Sequence, residues 1–155
     1  MIGMLDKKDE MIIKVLEKYG RMSSRKIAMK TNLPISTVHR RIRCLEKNGV
    51  IKGYMAVVNH EKIQKITVLF FVNVDEINGC SKYIPIESVK NELKKMDEVY
   101  EIFDIKGINW DIVVKARIEK LSDLNFLMEN IRKIRGIEEV TCAIVSEEIL
   151  TPTIQ

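Results

Sequence analysis

Cysteine and histidine are scarce in this 155-residue chain, which has three of the first (Cys44, Cys80, Cys142) and two of the second (His39, His60). The cysteines are far apart and form no Cys-x-x-Cys pair, which excludes a zinc ribbon or a dithiol redox motif. An odd, scattered set is expected as free thiols in a reducing compartment. The isolated histidines give no metal-ligand spacing, and none lies beyond His60. Imidazole-based acid–base chemistry in the second half is thereby excluded. Paired-carboxylate, Ser/His/Asp and Gly-rich phosphate motifs are also missing, so no catalytic residue, metal or cofactor is expected. No run approaches the ~18 apolar residues of a membrane helix. The start, Met1-Ile2-Gly3-Met4-Leu5-Asp6, has neither the basic segment nor the long apolar stretch of a secretory signal. Cytoplasmic residence and no membrane partner are expected.

What is present is unevenly distributed charge. Residues 1–60 hold 13 Lys/Arg against 5 Asp/Glu, whereas residues 61–155 hold 13 against 17, so a net +8 and a net −4 make up the overall +4. A basic first half attracts a polyanion, because each cation near a phosphate releases condensed counterions. The acidic remainder needs another role.

Periodicity places three helices in the basic half. Asp6 caps the first, which carries Ile12, Ile13, Val15, Leu16 and Tyr19 on one face and ends at Gly20. The second starts at Ser23 or Ser24 and runs to Thr31, with Ile27 and Ala28 inward. Asn32 tolerates the left-handed turn, Leu33 plugs the core, and Pro34 opens a third helix to Asn48. There, Ile35, Val38, Ile42 and Leu45 define a buried stripe. Opposite lie Ser36, Thr37, His39, Arg40, Arg43 and Lys47, of which Ser36, Arg40, Arg43 and Lys47 step by four, three and four along one face. Such a face suits a major groove: Arg and Lys reach guanine edges or phosphates, and hydroxyls fit near the backbone. Arg41 and Lys47 are expected to touch phosphate or to brace the domain. After Gly49, the stretch Val50 to Val58 is apolar and β-branched with a turn at Lys52-Gly53, and it reads as a two-stranded wing. The set is a winged helix-turn-helix over residues 1–58, followed by a polar linker over 59–65.

These residues resemble a known family. Leu5-Asp6-x-x-Asp9, Arg21-x-Ser23, Ile27-Ala28, Leu33, Val38-x-x-Arg41-Ile42-x-x-Leu45-Glu46-x-x-Gly49-Val50-Ile51-x-Gly53-Tyr54 is similar to the signature of the Lrp/AsnC transcription regulators. Asn32 stands where that family usually has Gly, Pro34 where it has Ser, and Lys26 where an acid is common. The resemblance implies a DNA-binding regulator that works as a dimer or a larger assembly such as a tetramer or octamer. It also implies a second domain that senses an amino acid or other small effector.

Beyond residue 65 the order is strand 66–74, loop 76–84, helix Pro85–Met96, strand Val99–Ile105, strand Trp110–Ile118, a helix capped by Ser122, and strand Ile137–Val145. This βαββαβ order is ferredoxin-like, so the expected class is α+β, with residues 66–155 as the second domain. The first strand is apolar on both faces, Ile66, Val68, Phe70, Val72 and Val74 alternating with Leu69 and Phe71. A sheet wet on one side would alternate with polar residues, so a second copy is expected against the bare face. The resemblance extends here: Gly107-Ile108-Asn109-Trp110-Asp111 replaces a Gly-x-x-Asp turn with one extra residue, and Val140-Thr141-Cys142 replaces Thr-x-Thr. It implies effector contacts at Gly107, Asn109, Asp111 and Thr141, although Asp111 serves equally as a strand-start residue that satisfies turn amides. Alternatives are an Lrp-like sirohaem decarboxylase subunit and a weakly specific architectural DNA-binding protein. RNA recognition through Tyr100 and Phe103 conflicts with the acidic charge of this half.

Overall fold

The computed structural model describes residues 5–60, 62–75, 77–78, 82–106 and 109–149. They form two compact units, residues 5–58 with Ile149, and residues 59–148.

The first unit is three helices: α1 (Lys7–Tyr19), α2 (Ser24–Thr31) and α3 (Ile35–Lys47). Asp6 caps α1, its Oδ1 accepting from the Lys8 and Asp9 amides, both at 2.9 Å, while Asp9 accepts the Asp6 amide at 3.3 Å. Ser23 caps α2, accepting from Lys26 N at 3.4 Å, and Asn32 closes it in the left-handed region at φ 55°. Ile12, Ile27, Ala28, Val38 and Leu45 form the core, with Leu33, Ile42, Val50 and Ile51 packed on it.

Two expectations fail here. Ile35 is not part of the buried stripe: it is 50% exposed, and it is absent from the core that Leu33 packs against. The wing does not form a ladder: no strand occurs between residues 50 and 59. The Val50 and Ile51 amides both donate to Leu45 O, at 2.9 and 3.1 Å, so the first arm of a hairpin is already committed to the end of α3. β-branched composition favours a strand only where backbone partners are free. The remaining segment carries no regular secondary structure, and Met55 is 80% exposed.

The second unit has β1 (Ile66–Val74), a two-residue hairpin β2 (Ile77–Asn78) and β3 (Lys82–Tyr83), α4 (Ile86–Leu93), β4 (Val99–Asp104), β5 (Ile112–Ile118), α5 (Ser122–Arg132) and β6 (Ile137–Ile144). The sheet order is β4-β5-β1-β6, antiparallel throughout, which is the ferredoxin-like arrangement. The expected loop 76–84 contains the small hairpin. α4 is shorter than the expected Pro85–Met96, because Lys95 N and Met96 N bond three residues back, at 3.1 and 3.2 Å, and tighten the end. Ser122 is the first residue of α5 rather than its cap, and Asp123 instead accepts the Lys120 amide at 3.1 Å.

One sheet face is buried: Val68, Phe70, Val72, Ile112, Val114, Ala116, Ile118 and Val140 pack with Val89 and Leu93 of α4 and Leu127 and Ile131 of α5. Gly136, before β6, has φ +96°, and a Cβ there would lie 2.8 Å from Ile84 Cγ2. The register puts Leu69, Phe71, Val113 and Phe103 on the other face, which carries no helix of this unit.

Candidate nucleic-acid interface and effector region

α3 carries a cationic face. Ser36, His39, Arg40, Arg43 and Lys47 are exposed, and Thr37 is half-buried. Arg40, Arg43 and Lys47 have no ion-pair partner among the described residues. The buried Val38 and Leu45 fix which face points inward. Arg21, Arg25 and Lys26, before and at the start of α2, are exposed as well.

Arg41 differs from its neighbours. Its guanidinium lies 2.7 Å from Asp6 Oδ2 and 2.8 Å from Asp9 Oδ1, so it is turned toward α1 and not presented with Arg40 and Arg43. Of its two expected roles, this geometry is that of a brace. The hydrogen bonds that Arg41 donates to Asp9 and Asp6 hold its pKa above its ordinary value. The Asp6 carboxyl is held below its own, first by the Asp9 amide. A second tether was not legible in the sequence: Tyr54 OH donates to Glu46 Oε1 at 2.9 Å and ties the segment after Gly49 to α3.

In the second unit three of the four expected effector residues are among the described ones. Gly107 lies outside the described residues. Asn109 and Thr141 are exposed. Asp111 takes the structural role: its Oδ2 accepts from Val74 N at 2.8 Å, its amide donates to Val72 O at 3.1 Å, and its carbonyl accepts from Ile105 N at 2.9 Å. It closes the sheet where β1, β4 and β5 meet. Trp110 packs 6.1 Å from Phe71, and Phe71 faces Thr141 across β1 and β6, so Thr141 borders an aromatic patch.

A further cluster escaped the sequence reading, because its members lie on four segments. Arg117 stacks on Tyr100 at 4.1 Å, and His60 meets the same ring edge-on at 6.5 Å. Lys115 pairs with Glu148 and, at 3.7 Å, with Glu101. Burial, and then the Arg117 charge, push the His60 pKa down. Cys44 and Cys142 are free thiols, and Cys80 lies outside the described residues. Among the described residues no three His, Cys, Asp or Glu are grouped to hold a metal, and no helix is long and apolar enough to cross a membrane.

A three-helix unit with a cationic third helix, joined to a four-stranded α+β unit, defines a helix-turn-helix regulator with an attached ferredoxin-like domain. Residues 5–52 match the winged helix-turn-helix DNA-binding family, and residues 71–154 match the Lrp/AsnC ligand binding domain. The HTH-type transcriptional regulator FL11 of Pyrococcus furiosus is 36% identical over 94% of this chain and 91% of its own length. The FL11 protein of Pyrococcus abyssi is also 36% identical, over 91% and 89%. The chain belongs to the Lrp/AsnC family of transcriptional regulators. Its fold is similar to that of a feast or famine regulatory protein of M. tuberculosis complexed with L-methionine, with TM-score 0.80, 22% identity, and coverage of 97% of this chain and 98% of the other. A Neisseria meningitidis regulator, also in complex with L-methionine, superposes with TM-score 0.77 at 22% identity, over 97% and 96%.

Proposed function

We propose that this regulator binds operator DNA sequence-specifically as a homodimer or larger assembly, with α3 as the reading helix. Ser36, Thr37, His39, Arg40 and Arg43 meet base edges, and Lys47 meets phosphate. The observation that carries this is the exposed row of cations without ion-pair partners among the described residues, held on a helix whose opposite face is locked into the core. Side chains already paired within the protein would have to break those pairs before reaching DNA; these do not. A two-fold assembly presents two such helices, so the operator is an imperfect palindrome with half-sites about 10 base pairs, or a multiple of that, apart.

The pairing surface is the open sheet face. Leu69, Phe71, Val113 and the 48%-exposed Phe103 give it an apolar centre, and a second copy removes this from water. An amino-acid effector is the reading suggested by the L-methionine complexes of two fold relatives. In this chain one carboxylate oxygen of Asp111 serves Val74, and its other oxygen, with Gly107, Asn109, Thr141 and the Trp110–Phe71 patch, supplies the contacts to it. An enzymatic role is not part of this reading: the two histidines sit on α3 and beside Arg117, away from Asn109 and Thr141 in the chain.

The test is a footprint of the full chain over its own upstream region, with and without a panel of amino acids. Protection of a two-fold sequence at a salt concentration where random duplex is not protected is the expected outcome. Equal protection of all DNA would favour the architectural alternative.

A further inference from the structure

Arg41 stands on α3 roughly 100° from Arg40 and 200° from Arg43 at 3.6 residues per turn, so it points away from their face. Its two terminal nitrogens each take a different carboxylate, Asp6 at 2.7 Å and Asp9 at 2.8 Å. Both carboxylates are already fixed by the capping box. Asp6 Oδ1 accepts the Lys8 and Asp9 amides, leaving Oδ2 for Arg41. Asp9 Oδ2 accepts the Asp6 amide, leaving Oδ1 for Arg41. Every carboxylate oxygen therefore has a partner, and the first turn of α1 and the middle of α3 are joined by one closed network. Arg41 and Asp9 are shielded, with side chains only 19% and 18% exposed, so water screens the contact less than it would a surface pair.

A planar fork held at two points fixes rotation as well as distance. Apolar packing of Val38 and Leu45 sets depth but resists a small roll less sharply. The scale matters, because side-chain tips lie roughly 5–6 Å from a helix axis, so a roll of about 20° moves them by about 2 Å. Base-edge hydrogen bonds tolerate only a few tenths of an ångström, whereas flexible cations follow phosphates readily.

We propose that Arg41 is a positioning residue: by bridging Asp6 and Asp9 it sets the rotation of α3 so that its exposed face meets base edges, without touching DNA itself. This rests on α3 being the reading helix. It separates Arg41 from the adjacent arginines in one respect: its loss degrades discrimination between sequences more than attraction to DNA.

The experiment uses the full chain, a duplex selected by that chain from a random pool, and a scrambled duplex of equal length. Affinities are measured by fluorescence anisotropy at several salt concentrations, for the parent, Arg41→Met and Asp9→Asn. For Arg41→Met the ratio of selected to scrambled affinity should fall about tenfold, which is about 1.4 kcal/mol. Its salt slope on scrambled DNA should not change. Asp9→Asn should lose the same discrimination even though removing a negative charge strengthens binding to scrambled DNA. This milder variant also keeps the test valid should Arg41→Met fold poorly. A slope shallower by about 0.9 for Arg41→Met identifies a direct phosphate contact and overturns the proposal. An unchanged ratio in both variants, with only a lower melting temperature, reduces the network to a structural tie and overturns it too. If the parent selects no duplex at all, the reading of α3 fails first and takes this inference with it.

Discussion

At the scale of single residues, chemistry and position are separable in α3. Val38 and Ile35 are both β-branched aliphatics three residues apart, yet one is fully buried and the other half exposed. Truncating Val38 to Ala should cost about 2 kcal/mol of stability through lost burial and a residual cavity, and Ile35→Ala a few tenths. Equal shifts in the melting of the N-terminal unit would contradict the packing described. The sequence could not distinguish these two, because helical periodicity puts both on one stripe and does not say where along α3 the core ends. The Arg41 network was invisible for another reason: it joins residues 32 and 35 positions apart in the chain, and local spacing carries no information on such pairs. The cationic face itself was legible, since a helical period and residue chemistry suffice to define it. Asp111 was open between two roles on sequence, and the 2.8 Å bond from Val74 N to its carboxylate is the one that satisfies a turn amide.

At the scale of elements, every long helix and strand was readable, because each shows a helical period or an apolar, β-branched run. The wing was not, because a strand is a property of a pair. Its amides at Val50 and Ile51 had already been taken by α3. Element ends depend in the same way on specific bonds. Gly136 is one such point: Gly136→Ala forces a side chain into a positive φ and against Ile84, and should destabilise the unit by about 1–3 kcal/mol. A chemical melt showing no loss would refute the close approach between this turn and the residues before α4. Where the linker meets the sheet, His60 has a folded pKa below its ordinary 6.5, first because of burial. The unfolded state therefore binds the proton more readily, and the contribution of the neutral ring is present above pH 6.5 and lost as pH falls below it. The melting temperature should drop between pH 7 and 5.5 in the parent, and less in His60→Gln. Parallel pH profiles would show that the imidazole beside Arg117 does not titrate in this way.

At the scale of the whole molecule, the partition of charge is the property that organises function. A net +8 over the first sixty residues and a net −4 over the rest give the first unit, and not the second, the charge that attracts DNA. The fold class was legible from element order, and pairing was inferred from a first strand apolar on both faces. Phe71→Glu places a charge at the centre of the open sheet face, opposite Val113 and Thr141. Sedimentation should show this variant shifted toward monomer relative to the parent, and an unchanged mass would move the pairing surface elsewhere. The most direct measurement of the central claim is the affinity of Arg40→Ala and Arg43→Ala for a selected duplex at fixed salt. Each arginine that meets DNA should, on truncation, weaken binding by about 1–3 kcal/mol if it reads a base, or flatten the salt slope by about one if it holds a phosphate. Affinity and slope identical to the parent in both variants would contradict the assignment of α3 as the surface that meets DNA.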